Sequence, residues 1–185
     1  MNLGRLIKGC IQLDRKAQKE LYLHYCKLAI NISLRYARDD HDAKDIVQNA
    51  FIKIFTKIEQ FNPDKGTFDN WLKRIVINEA LQLYRDNQRR QIINEDLTNI
   101  RHSEPPIILD QLMAEDLVKL LRQLPESYRI VFVLHTFEGY DHHTIGEKLN
   151  IAEGTSRSQL SRAKQLLRQL IYKQNQKDHA KRIAG

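Results

Sequence analysis

Only seven glycines and four prolines punctuate this chain of 185 residues. Turns and strand ends draw heavily on those two residue types, so sparse punctuation leaves long unbroken periodic stretches, the signature of helices. Two prolines stand side by side at Pro105-Pro106, within QIINEDLTNIRHSEPPIILDQ. Proline lacks an amide donor and pushes the residue before it out of helix, and the polar residues around this pair bury little. The reading is an all-α chain of two small helical domains joined by a flexible linker. The first spans residues 1–92, the linker 93–111, the second 112–173, and a polar basic tail over 174–185 is expected to fray. No internal repeat and no convincing strand pair is found.

In the first block, helices are expected over about Ala17–Ala37, Asp40–Ile58 and Asp69–Arg90. Pro63 and Gly66 mark a loop before the third, and Thr67 or Asp69 is placed to cap it. In the second block Leu109, Leu112, Leu117, Leu120, Leu121 and Leu124 recur at helical spacing. Pro125 suits the first turn of a helix that carries Ile130, Val131, Val133 and Leu134 and stops near Gly139. Two more helices follow, from about Asp141 to Leu149 and from Glu153 to Leu170.

Hydrophobic residues make up 42% of the chain and charged residues 29%, the balance of a globular protein. The net charge is +7, with a pI near 9.4, which attracts polyanions such as nucleic acid or an anionic membrane surface. No apolar run approaches the roughly 18 residues of a membrane span, and the opening MNLGRLIKGCIQLDRK is too polar for a secretory signal. Cys10 and Cys26 form no CxxC pair and fit a reducing compartment, so a cytoplasmic protein without membrane insertion is expected.

Reactive chemistry is hard to place. His142 and His143 are adjacent, diverge on a helix, and share a metal poorly; His24 and Cys26 are no better spaced. There is no P-loop, GxSxG or HExxH. No catalytic residue, metal ligand or cofactor is therefore assigned. Asp39, Asp40, Asp42 and Asp45 fit a helix N-terminus, where negative charge is stabilised.

Three surfaces stand out instead. On the helix from Asp40, the residues Ile46, Val47, Ala50, Phe51, Ile54 and Ile58 share one face; Ile52 lies on the opposite side among Asp45, Gln48 and Asn49. That is either a solvated face with one stray apolar residue or an anchor for a partner protein. On the next helix Leu72, Ile75, Val76, Ala80 and Leu83 form the apolar face. Trp71, Arg74, Asn78, Gln82, Arg85 and Arg89 lie opposite, with Lys65 and Phe68 just upstream. Cations neutralise phosphates and aromatic rings stack on unpaired bases, so this stripe suits single-stranded or melting DNA, unless it is a solvated basic face with Trp71 in the core.

The third is YDHHTIGEKLNIAEGTSRSQLSRAKQLL, laid out as a helix-turn-helix. Ile145 and Leu149 point inward, Gly146 is small where helices cross closely, Asn150 tolerates the left-handed backbone of the turn, and Ile151 plugs it. Ser156, Leu160, Ala163 and Leu167 repeat on one arc. Thr155, Ser158, Ser161, Arg162 and Gln165 face away, with Arg157 at the edge. Hydroxyls and guanidinium groups on such a helix match base edges and phosphates in a major groove.

Taken together, these stretches resemble the extracytoplasmic-function group of bacterial sigma factors. DDHDAKDIVQNAFIKIF looks like that family's polymerase-binding segment, and FNPDKGTFDNWLKRIVINEALQLYR like its segment for promoter melting and −10 reading. LPESYRIVFVLHTFEGYDHHTIGEKLNIAEGTSRSQLSRAKQLL looks like its −35-reading domain. The resemblance implies that Asp45, Gln48, Asn49 and Ile52 grip the β′ clamp helices of core RNA polymerase, whose β flap is a second partner surface. It implies that the loop from Phe61 to Phe68 holds a flipped base, and that Lys65, Phe68, Trp71, Arg74, Asn78 and Arg85 serve −10 DNA. It assigns Thr155, Arg157, Ser158, Ser161 and Arg162 to the −35 element, runs the linker through the polymerase active-site region, and implies an anti-sigma repressor. Three positions depart from the family pattern: Asn49 stands for a common Glu, Ala152 for the usual Ser cap, and Ser156 for a common Val. The hydroxyl of Ser156 is then expected to need a backbone acceptor. The competing reading is a free-standing helix-turn-helix regulator, which would dimerise on two half-sites.

Overall fold

A computed structural model describes residues 2–91 and 114–183. Among them are eight α-helices and two single 3₁₀ turns, with no strand. The chain divides into two compact units between Arg89 and Arg90. The linker, together with Leu109 and Leu112, lies outside the described residues.

The first unit opens with a helix that periodicity had not flagged, α1 (Leu3–Ile11). Asn2 caps it by accepting from the Arg5 amide at 3.1 Å, and Leu6 and Cys10 are its buried residues. It crosses α2 (Arg15–Tyr36) so closely that a Cβ on Gly9 would stand 2.6 Å from that of Ala17. Between the two, Leu13 takes a left-handed conformation at φ 59°. Its amide donates to Cys10 and the Asp14 amide to Gly9, the paired bonds that close a helix C-terminus. Asp14 then caps α2, accepting from Lys16 at 2.8 Å.

The turn into α3 (Asp40–Lys57) is held by charge. Asp39 caps the helix, and Arg38 donates to Asp42 at 2.7 and 3.2 Å. Those hydrogen bonds hold the Asp42 carboxyl below the usual carboxylate range against the opposing effect of burial. The aspartate cluster thus sits where the helix dipole favours it. A 3₁₀ turn over Pro63–Lys65 leads to α4 (Phe68–Gln91), with Thr67 as its cap. Lys53 of α3 reaches the buried Glu79 of α4 at 2.6 Å.

Phe68, expected on the DNA-facing side, is only 2% exposed. Its ring lies 4.9 Å from Tyr25, 5.2 Å from Phe61 and 5.4 Å from Trp71. The loop folds back over the first turn of α4 and covers this side chain from above. Burial and the neighbouring Asp69 carboxylate push the Tyr25 hydroxyl up to about 12.

The second unit holds α5 (Ala114–Arg122), α6 (Glu126–Thr136), α7 (His142–Leu149) and α8 (Glu153–Ile183). Pro125 precedes α6 as its cap residue instead of lying within its first turn. Every residue from Arg129 to Leu134 is buried, so α6 is the central helix around which the others pack. Ile145, Leu149, Ser156, Leu160, Ala163 and Leu167 are buried as their spacing predicts. Asn150 closes α7 at φ 55° and ψ 49°, and both its amide and that of Ile151 donate to the Gly146 carbonyl. Gly146 is small where the turn brings α8 close against α7: a Cβ there would meet the backbone oxygen of Ile151 at 2.8 Å and the amide nitrogen of Glu153, the first residue of α8, at 3.7 Å. Two further expectations change. Ser156 pairs with the His142 ring at 2.9 Å instead of bonding a backbone acceptor, and α8 continues past Leu170 to Ile183, through the stretch expected to fray.

These contacts set the direction of three substitutions, each read by chemical denaturation. Phe68→Ala destabilises the first unit by about 3–5 kcal/mol. Gly146→Ala destabilises the second by about 1–3 kcal/mol, because the added methyl group displaces backbone. Leu13→Gly stabilises the first unit by up to about 1 kcal/mol, since Leu13 is 75% exposed and left-handed.

Candidate nucleic-acid and partner interfaces

The outward face of α3 carries Gln48, Asn49 and Ile52 in solvent and Asp45 half-buried. Asp45 pairs with His41 one turn earlier at 3.2 Å. Ile52 is 55% exposed but is not isolated. It forms the lip of a groove of about 460 Å³, lined also by Val47, Phe51 and Phe55 of α3 and by Tyr22 and Ile30 of α2. Tyr22 stands edge-on to Phe51, 4.7 Å between ring centres. Tyr22 and Ile30 were missed in the sequence. A partial signal was available: they lie eight residues apart on α2, about 80° apart around the helix and so within one broad apolar stripe.

The stripe on α4 is sparser than its helical spacing implies. Lys65 is exposed in its 3₁₀ turn, which ends at Gly66 with φ 138°, and Arg74, Asn78 and Arg89 are exposed along the helix. Trp71 is half-buried, its ring 5.8 Å from Phe61 and packed against Phe68, with part of its surface still open. Arg85 donates to Gln82 at 2.9 Å, and Gln82 donates to Asp86 at 3.0 Å, so this guanidinium is engaged along its own helix. What remains is a cationic and amide surface beside one partly open indole, rather than a row of aromatic rings.

On α8, Thr155 and Arg157 are exposed, and Ser158, Ser161 and Arg162 are half-buried. Arg157 pairs with Glu153 one turn earlier. Ser158 donates to the Thr155 carbonyl at 2.9 Å, which leaves its oxygen able to accept. Arg162 donates to the Tyr128 hydroxyl of α6 at 3.1 Å, a brace between helices that no local pattern announces. A brace of this kind fixes where the guanidinium points at little extra entropic cost. Thr155 lies within the first turn of α8, where backbone amides and the helix dipole also favour an anion, and Arg157 begins the second.

Among the described residues, no helix is long and apolar enough to cross a membrane, and no group of three or more His, Cys, Asp or Glu side chains converges as a metal site.

Comparison with known proteins places these surfaces in a family. The Sigma-70 region 2 model matches residues 21–90, and the Sigma-70 region 4 model matches residues 114–167. The ECF RNA polymerase sigma factor SigE of Mycolicibacterium smegmatis is 31% identical over 159 residues, covering 83% of this chain and 61% of that protein. The ECF RNA polymerase sigma factor SigW of Bacillus subtilis is 27% identical over 185 residues, covering 92% of this chain and 97% of that protein. Among solved structures, the sigma factor RpoE of Bartonella quintana, crystallised with the anti-sigma factor NepR, shares the fold. Its TM-score is 0.50 at 22% identity, over 83% of this chain and 96% of that one. The chain belongs to the extracytoplasmic-function group of the sigma-70 family, factors that direct RNA polymerase to promoters.

Proposed function

We propose that this chain binds core RNA polymerase through the outer face of α3 and carries it to promoters whose two elements are read by α4 and α8. The observation that carries the reading is Ile52, exposed at the lip of an apolar groove within the segment matched by region 2. A large apolar side chain ringed by Asp45, Gln48 and Asn49 is an anchor with a polar rim, the usual anatomy of a protein interface. The β′ clamp helices are the partner of this face, and the β flap that of the second unit.

On the DNA side, Lys65, Arg74 and Asn78 contact the −10 strand, with Trp71 offering its open ring surface to a base. Phe68 acts from beneath by fixing the loop. Arg85 contacts DNA after exchanging its bond with Gln82. Thr155, Arg157, Ser158, Ser161 and Arg162 meet the −35 element, with Arg157 and Arg162 as the base-reading or phosphate-reading cations. The chain performs no catalysis of its own and works in the cytoplasm beside polymerase. An anti-sigma protein is its repressor, a partnership supported by the bound state of the Bartonella quintana relative.

Two substitutions test these assignments. Ile52→Asp weakens binding to core polymerase by at least about 30-fold, the loss of a hot-spot anchor, while circular dichroism stays that of the parent chain. Undiminished co-elution of this variant with polymerase would refute the α3 assignment. In the assembled holoenzyme, Arg157→Ala weakens binding to −35 DNA by about 10-fold in a gel-shift titration, with polymerase binding unchanged.

A further inference from the structure

Three helices of the second unit meet at groups that can carry a proton. His135 lies in the last turn of α6, His142 opens α7, and Ser156 closes the first turn of α8. The two imidazoles are stacked, 4.9 Å between centres and 28° apart in plane. The Ser156 hydroxyl is fully buried and lies 2.9 Å from His142 Nδ1. Ser156 is two residues from Ser158 and one from Thr155 and Arg157. The junction therefore sets the position of the turns assigned to the −35 element.

We propose that the His135–His142–Ser156 junction is a proton-responsive latch that seats the start of α8 when both imidazoles are neutral and loosens it on acidification. Two stacked rings tolerate neutrality well and a shared positive charge poorly. A neutral His142 can accept the Ser156 proton at Nδ1. Protonation makes Nδ1 a donor, and the buried hydroxyl must then redirect its own hydrogen.

The surroundings add to the effect. Lys164, Arg157 and Glu153 of α8 are the charged groups that act on His142, and Lys164 also acts on His135. Two are cations, and the one anion, Glu153, already pairs with Arg157. On α7, Asp141 is occupied as the cap, accepting from the Thr144 amide at 2.7 Å, and His143 is paired with Glu147. His142 also stands at a helix N-terminus, where a positive charge is disfavoured. His135 stands at a C-terminus, where the dipole works the other way, but burial and Lys164 outweigh it.

Burial and neighbouring cations hold both imidazoles below the ordinary histidine range. The unfolded chain then binds more protons than the folded unit in mildly acid solution. The latch is complete above the unfolded value of about 6.5 and is lost as the pH falls from there through the lowered folded values. Its regulatory meaning rests on the assignment of α8 to DNA, but its existence does not.

The test follows α7 and α8 amide signals by NMR during thermal denaturation of the full chain. The wild-type midpoint falls by about 4 °C or more between pH 7.5 and 5.5. A His135→Phe, His142→Gln double variant keeps one ring and one hydrogen-bonding amide without either titrating group, and its midpoint falls by less than half as much. Equal falls in the two proteins would overturn the latch. Ring-proton titration of the wild type decides independently if the variant does not fold. His135 and His142 are expected to titrate below about 6.5, and titration at or above that value would overturn the proposal. No DNA enters these measurements, so failure of the latch is distinct from failure of the α8 assignment, which Arg157→Ala tests. In the holoenzyme, wild-type retention of −35 DNA declines more steeply with acid than the double variant's. Parallel declines would overturn the latch's part in DNA reading.

Discussion

The burial of Phe68 against Tyr25, Phe61 and Trp71 decides how the first unit presents itself. That contact fixes where α4 begins and folds the preceding loop onto it. It also sets the rotation of α4, and so determines that Arg74 and Asn78 face outward while Val76, Ile77 and Ala80 face in. The ion pair from Lys53 to the buried Glu79 holds the same helix further along. A buried carboxylate tolerates burial only with such a partner. The two residues proposed to face DNA therefore owe their placement to an aromatic cluster and an ion pair packed beneath and beside them.

The second unit solves the same problem with backbone. The Gly146 carbonyl receives the amides of Asn150 and Ile151, which turns the chain sharply enough for α8 to pack across α7 and α6. Arg162 bonded to Tyr128, and Ser156 bonded to His142, then fix the rotation of α8 about its own axis. Such rotation matters because a helix reads a groove with one narrow stripe, and a shift of one residue turns that stripe by about 100°.

Much of this was legible in the sequence. Asn150 could be assigned a left-handed backbone because few other residues tolerate it, and the buried arc of Ser156, Leu160, Ala163 and Leu167 follows from spacing alone. What spacing cannot supply is what lies above a helix. Phe68 opens α4 just upstream of the outer stripe, and a loop covers it. Ile52 looks solitary until Tyr22 and Ile30 arrive from α2. The length of α1, nine residues, leaves only two buried positions to betray it. The extension of α8 to Ile183 has no apolar stripe, but its Lys, Gln, Arg and Ala residues favour helix intrinsically. The bonds from Arg162 to Tyr128 and from Ser156 to His142 join residues 34 and 14 positions apart, beyond any local pattern.

Two small units, each with a polar stripe proposed to read DNA, are expected to gain specificity by acting together on one polymerase. Selection of bound fragments from a random DNA library at physiological salt, with the chain alone and with core RNA polymerase added, tests that claim most directly. With polymerase, the selected fragments are expected to share two sequence elements at one fixed spacing, and the chain alone is expected to select none. Selection of a palindromic site by the chain alone would contradict the account and identify a free-standing dimeric regulator.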